Sequence, residues 1–140
     1  MEIVDRGFAE LSGNEVHDIL RLRVDVFVVE QNCAYAEIDG RDIEASTRHV
    51  WVGGADGPAA YVRVLDDGAA RRIGRVVTHP AARGEGLAAR LVDHVVGSGE
   101  GPWVLDAQSH LEHWYVARGF VVDGAEFVED GIPHVPMRRG

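Results

Sequence analysis

A β-rich run passes through a proline and a glycine turn straight into an amphipathic helix in the segment Arg75-Val76-Val77-Thr78-His79-Pro80-Ala81-Ala82-Arg83-Gly84-Glu85-Gly86-Leu87-Ala88. Gly84 and Gly86 leave the backbone uncovered, so the N–H groups of the first helical turn are open to a ligand. The positive end of the helix dipole favours an anion at the same point. The segment therefore predicts a phosphate-binding turn between a strand and a helix.

Strand and helix signals alternate on both sides of this segment, without internal repeats. Apolar residues recur at helical spacing over residues 14–29, where Asn14 is the expected cap, and after Arg83 as far as the glycine turn at 97–99. Strand, helix and strand from residue 73 to residue 105 form a βαβ unit, whose two strands should lie parallel. Further strands are expected at residues 1–4, 49–53, 59–65, 70–78, 102–107, near 121 and over 127–137, a turn at 53–58 and a last helix at 110–118. The pattern predicts a mixed α/β sheet.

Length and charge exclude several classes of protein. The 140 residues predict one domain over 1–140, with a formal charge of -9 that disfavours a nucleic-acid partner. All fourteen basic residues are arginines, and the lone Cys33 cannot form an internal disulfide. We find no signal segment and no apolar run of the roughly 20 residues that a membrane helix needs, so we expect a cytoplasmic protein without a membrane partner.

Two motifs in the same order and at matching spacing point to a known family. The hexapeptide from Arg83 to Ala88 fits the pattern (Gln/Arg)-x-x-Gly-x-(Gly/Ala), and Tyr115-Val116-Ala117-Arg118-Gly119-Phe120 fits Tyr-x-x-x-Gly-Phe. Both patterns are typical of the GCN5-related N-acetyltransferase (GNAT) superfamily, which the chain resembles. Residues 23–33, 39–42 and 129–134 resemble its ElaA-like subgroup. The resemblance implies a GNAT-like mixed, mostly antiparallel sheet with a central parallel strand pair and flanking helices.

The resemblance also implies acetyl-CoA as co-substrate. Its pyrophosphate would lie on backbone N–H groups of Arg83, Gly84, Glu85, Gly86, Leu87 and Ala88. Its pantetheine arm would pair with a strand at Val76, Val77 and Thr78, in a gap between two strands that a bulge commonly opens. Gly74 is compatible either with such a bulge or with close packing in the strand.

Tyr115 occupies the position of the general acid in the resembling enzymes, where it protonates the leaving thiolate. The alternative is a tyrosine that serves packing only. The implied reaction is direct transfer of the acetyl group to a primary amine within a ternary complex. A noncatalytic acyl-CoA-binding or sensing module is the alternative function, and a homodimer is common in the superfamily.

No obvious general base stands on the fourth strand, where several superfamily members carry a carboxylate and this chain has Arg72, Gly74 and Arg75. An alkyl amine is almost entirely protonated near neutral pH, so some group or environment must favour its free form. The candidates on the acceptor side are Glu37, Asp39, His79 and His134. Each has an alternative structural role, such as His79 capping the turn before Pro80 or His134 packing between prolines.

The connection from Glu30 to Thr47 carries five carboxylates and one cation, Arg41. Two interpretations are compatible with this charge: a solvated surface, or an acidic rim that attracts a cationic small-molecule or protein amine. We predict no metal, because His110 and His113 belong to no Cys cluster or His-Glu-x-x-His pattern and are explained as two solvent-facing histidines. A phosphate-loop nucleotide enzyme is excluded by the absence of lysine.

Overall fold

The computed structural model describes residues 2–54 and 57–140, which form one mixed sheet with helices on both faces. The strand order is β1-β2-β3-β4-β5-β8-β6, and β7 pairs with β8. The β4–β5 pair is parallel and the other pairs are antiparallel. The strands are β1 (Ile3–Gly7), β2 (Arg48–Gly54), β3 (Gly57–Asp66), β4 (Arg71–Thr78), β5 (Trp103–Gln108), β6 (Val121–Val122), β7 (Phe127–Glu129) and β8 (Ile132–Arg139). The predicted mixed sheet with its parallel pair is confirmed.

The described part of the chain contains three α-helices, α1 (Gly13–Arg23), α2 (Leu87–Gly97) and α3 (Glu112–Val116). The prediction of Asn14 as the first cap is wrong. The Ser12 hydroxyl accepts a bond from the Glu15 N–H at 3.0 Å, and the Glu15 carboxylate accepts one from the Ser12 N–H at 2.9 Å, which is a capping box. Beyond Arg23 the chain continues as a π-helical segment, Val24–Glu30, within the single helix that the sequence predicts.

Alternation along β3 sends its side chains to two separate clusters. Tyr61 packs with Ile19 and Leu22 of α1 on one face of the sheet. Its neighbours Ala60 and Val62 point the opposite way and join the cluster that α2 covers. The buried α2 side chains are Leu87, Leu91, Val92 and Val95, so the apolar stripe seen in the sequence is the face that anchors the helix.

The parallel pair at the centre of the sheet is short. β4 and β5 pair only at Arg71–Trp103 and Arg72–Val104. In the pairing of β4 with β3, Arg75 and Val76 together lie opposite the single residue Val62, which is a β-bulge, and Arg75 has a φ of 52°. Gly74 immediately precedes the bulge. The two strands therefore separate towards their carboxyl ends.

Some predicted features fall where the structure is not described. Met1 of the opening strand lies outside the described residues, as do Ala55 and Asp56 of the turn predicted at 53–58. In the part of the chain that is described, no helix has the length and apolar character needed to span a membrane.

Candidate active site

A cleft of about 940 Å³ lies where β4 and β5 separate. Residues 73–78 of β4 form one wall, and Leu105, Asp106 and Gln108 of β5 contribute to the other. The cleft reaches Arg83 and Ala88 at the start of α2 and Tyr115 on α3. The fold thus brings both sequence motifs to one cavity.

The glycine turn before α2 adopts the conformation that its composition predicts. Gly84 and Gly86 have φ values of 85° and 74°, in the left-handed region that favours glycine, and both face open space. The Arg90 N–H bonds to the Gly86 carbonyl at 3.1 Å, as the first turn of the helix requires. The N–H groups that precede it in this turn have no carbonyl of their own helix to bind. Such a turn can accept an anion.

The two residues that flank this turn differ in character. Arg83 makes a two-fold ion pair with Glu30, in which both N–O distances are 2.7 Å. Leu87 is buried in the core cluster between α2 and the sheet. Glu85 is exposed. The turn therefore presents mainly backbone to the cleft.

Tyr115 lines the cleft and is buried, with 6 % of its surface exposed. Its ring meets Trp114 and Phe120 edge to face, at centroid distances of 4.8 and 6.0 Å. Burial raises the pKa of its phenol, so the hydroxyl keeps its proton at neutral pH. Packing fixes the ring, and the retained proton makes the hydroxyl a hydrogen-bond donor.

The carboxylates of the connection between α1 and β2 are bound to arginines. Arg23, which is completely buried, donates to Glu37 Oε2 and Asp42 Oδ1, each at 2.6 Å. Arg75 donates to the same Glu37 oxygen at 2.9 Å and to its carbonyl at 3.0 Å. Tyr35 donates to the other Glu37 oxygen. Glu37 is therefore a buried structural anion with 3 % of its surface exposed.

Asp39 is held in the same way. Arg63 of β3 donates to its two oxygens at 2.9 and 2.8 Å. Burial by itself raises the pKa of Asp39, but the bonds from Arg63 and from the Arg41 N–H, with the charges of Arg63 and Arg75, outweigh it and lower the pKa. Neither Glu37 nor Asp39 can accept a proton without loss of these ion pairs.

The two histidine candidates lie in different places. The imidazole Nδ1 of His79 accepts a bond from the Ala81 N–H at 3.0 Å, and the ring lines a smaller cavity beside α1 rather than the main cleft. His134 lines the main cleft on β8. It is the histidine among the four acceptor-side candidates that faces the cavity shared with Tyr115.

Charges of opposite sign are balanced along the cleft wall. Five carboxylates line it, and five arginines do the same. These residues are Glu30, Asp39, Asp106, Glu129 and Asp130, with Arg41, Arg63, Arg72, Arg75 and Arg83. Among the described residues that line the cleft, the carboxylates, which include Glu30 and Asp39 of the connection that looks acidic in the sequence, are thus matched by an equal number of arginines.

Sequence patterns predicted no role for the buried arginines. Arg23 interrupts the apolar side of the first helix, and Arg63 lies between Val62 and Val64 in a strand that is otherwise buried. A charged residue is almost never fully buried without a partner. That signal indicates buried ion pairs, although their carboxylate partners cannot be identified without the tertiary structure. Within the described residues no group of three or more His, Cys, Asp or Glu could hold a metal.

Comparison with known proteins gives one consistent result. A family model described as an acetyltransferase (GNAT) domain matches residues 9–139. The chain is 45 % identical to UPF0039 protein Rv2851c of Mycobacterium tuberculosis, over 93 % of this chain and 87 % of that protein. The crystal structure of an acyl-CoA N-acyltransferase from Pseudomonas aeruginosa matches over the full length of both chains, at 36 % identity and a TM-score of 0.94. Escherichia coli ElaA matches over 99 % of both chains, at 37 % identity and a TM-score of 0.92.

Replacement of the buried guanidinium should be strongly destabilising. Arg23→Ala leaves Glu37 and Asp42 without their shared partner, and we expect a loss of about 3–5 kcal/mol in the free energy of unfolding. Arg21→Ala is the matched control, because Arg21 is exposed on the same helix and its contact with Asp25 is 3.8 Å long; its effect should stay within about 0.5 kcal/mol. Urea unfolding measures both, and equal losses would contradict the role of Arg23.

The ion-paired carboxylates of Asp39 and Asp42 should make the free energy of unfolding depend on pH. Because their pKa values are lowered in the folded state, Asp39 and Asp42 contribute stability above their unfolded pKa of about 3.9 and lose it as the pH falls through the folded values. The free energy of unfolding should therefore decline below about pH 4. Asp39→Asn should flatten this decline in urea titrations at pH 7, 4 and 3; an unchanged slope would contradict the pairing.

Proposed function

Because the chain belongs to the GNAT acetyltransferase family, we propose that it transfers the acetyl group of acetyl-CoA directly to a primary amine. The observation that carries this proposal is the cleft between β4 and β5, which connects the glycine turn of α2 with Tyr115. The transfer of an acyl group from acyl-CoA is the family's reaction. The choice of acetyl and the direct route are the parts that we propose.

The turn from Arg83 to Ala88 is proposed to hold the pyrophosphate. Glycine conformations, open space at Gly84 and Gly86, and the N-terminus of an 11-residue helix support this assignment. The bonds would come from backbone N–H groups. The Arg83 side chain is paired with Glu30, so it contributes less charge than its presence in the motif suggests.

The pantetheine arm is proposed to occupy the gap between the separated strands. Val76, Val77 and Thr78 line this gap, and β4 makes no pair with β5 beyond Arg72. An amide-bearing arm can bond to strand backbone as an additional strand does. The gap supports the acyl-CoA assignment over ATP or NAD, which lack such an arm.

Tyr115 is proposed as the general acid. The amine lone pair attacks the thioester carbonyl, the C–N bond forms, and collapse of the tetrahedral intermediate breaks the C–S bond. The phenol gives its proton to the departing sulfur, and solvent returns one to the phenolate. Burial raises the pKa of the phenol, so the proton is in place when the thiolate departs.

The acceptor is proposed to be an amine on a small molecule or a protein. The balanced cleft charge gives no preference for a polycation over an amine that carries a single charge. The most direct test is calorimetric titration with acetyl-CoA, with ATP and NAD as controls, followed by an amine screen. Selective acetyl-CoA binding without transfer to any amine would favour a noncatalytic binding module; no binding would contradict the proposal.

Added bulk at the turn should weaken cofactor binding. Gly86→Ala places a side chain at a φ of 74°, a conformation that costs a non-glycine residue roughly 1–2 kcal/mol. The turn should relax away from it and move its N–H groups, so we expect about fivefold or greater loss of acetyl-CoA affinity. Gly97→Ala is the control, because Gly97 ends the same helix at ordinary φ and in open space. Calorimetry should show loss for the first variant alone; equal affinities would exclude the turn as the phosphate site.

Loss of the Tyr115 hydroxyl should impair turnover rather than binding. Tyr115→Phe keeps the ring packing and removes the proton donor, so kcat should fall about a hundredfold while acetyl-CoA affinity stays unchanged. Steady-state assays of thiol release, with calorimetry on the same preparation, measure both. Full activity in this variant would show that the ring serves packing alone.

A further inference from the structure

The proposed reaction needs a proton acceptor for the amine, and the carboxylates of the cleft are poorly suited to that task. Three of these carboxylates accept hydrogen bonds from arginines. The pairs are Asp39 with Arg63, Glu30 with Arg83, and Asp106 with Arg72, the last at 3.2 Å. Hydrogen bonds from Arg83 lower the pKa of Glu30, which weakens it as a base. Three of the five cleft carboxylates are therefore already bound to cations.

The other two carboxylates, Glu129 and Asp130, lie exposed at the turn between β7 and β8. A carboxylate in water is roughly 2 pKa units less basic than an imidazole. An imidazole in the cleft is therefore the better acceptor, and two of them line it, His110 and His134.

The surroundings of His134 determine which of its nitrogen atoms carries the proton. Its Nδ1 lies 2.7 Å from the Ile132 carbonyl oxygen. A carbonyl can only accept, so Nδ1 donates, and the neutral ring keeps its lone pair on Nε2. The ring also stacks on Phe127 at a centroid distance of 5.7 Å and an interplanar angle of 19°. Tautomer and ring plane are thus both held by neighbouring groups.

His110 has no comparable support in the described structure. It lies exposed in the short 3-10 turn Ser109–Leu111, which borders the cleft. A base needs a fixed orientation towards the proton it removes. Of the two cleft imidazoles, His134 is the one with an oriented lone pair.

We propose that His134 is the general base for the amine, an inference that rests on the proposed acetyl transfer. Its Nε2 takes a proton from the ammonium form of the acceptor, which frees the lone pair for attack on the thioester carbonyl. As the C–S bond breaks, Tyr115 gives a proton to the sulfur, the nitrogen loses its second proton to solvent, and solvent returns one to the phenolate. The imidazolium then releases its proton to solvent. The net products are one amide, one free thiol and one proton released to solvent, with no further reactant required.

Two amines of similar size and different basicity provide the test. Ethylamine is largely protonated at pH 7, whereas trifluoroethylamine is largely neutral. His134→Gln should lower transfer to ethylamine about a hundredfold and transfer to trifluoroethylamine much less, with acetyl-CoA affinity unchanged. The ionisation that limits the wild-type rate on the acid side should be absent from the variant's pH profile. If His134 had only a structural role, the substitution would reduce the rate of transfer to both amines equally.

Three further variants complete the experiment. His134→Ala should regain ethylamine transfer when imidazole is added, which also covers the case in which the glutamine variant folds poorly. His17→Gln, on the exposed side of α1, should match the wild type. A loss in His110→Gln together with full activity in His134→Gln would overturn the assignment.

Failure of this inference differs from failure of the proposed function. A wild-type protein that transfers acetyl to neither amine, nor to any amine of the wider screen, would overturn both. A wild-type protein that transfers it, together with an equally active His134→Gln, would overturn the base alone.

Discussion

The bulge at Arg75 and Val76 is the local constraint on which the cleft depends. Two residues of β4 oppose one of β3 there, and Arg75 takes a left-handed conformation that costs roughly 1–2 kcal/mol. A bulge bends its strand, and the last pair of β4 with β5 is at Arg72, three residues before Arg75. The same residue sends its guanidinium to Glu37, at 2.9 Å. One irregular position thus shapes the gap and binds the loop that borders it.

The buried ion pairs extend this constraint to α1, to β3 and to the connection between α1 and β2. Arg23 at the end of α1 and Arg63 on β3 hold the connection between α1 and β2 through Glu37, Asp39 and Asp42. Buried ion pairs contribute little net stability compared with apolar packing, but removal of one partner is costly. Their effect here is to give a long connection without regular secondary structure a single position beside the cleft. In that position Tyr35, Glu30 and Asp39 line the wall of the cleft.

Much of the architecture follows from local patterns. The apolar stripe of α2, the glycine turn before it and the βαβ order were each predicted from the sequence, and the mixed sheet with its parallel pair is confirmed. The cap of α1 was misassigned, because Ser12, two residues before Asn14, forms a capping box with Glu15. The roles of Tyr115 and of the phosphate-binding turn stay predictions.

By itself the sequence determined the order of the elements, the two motifs and the family, because periodicity, glycine and capping chemistry act between residues close along the chain. Only the tertiary structure decided what the charges do. Glu37 and Arg75 are 38 positions apart, and nothing in their local sequence shows that they meet. The same is true of His134, whose orientation depends on Phe127 of the neighbouring strand as well as on Ile132. Pairing between distant residues holds the buried carboxylates on their arginines and orients the His134 ring, and such pairing exists only in the folded chain.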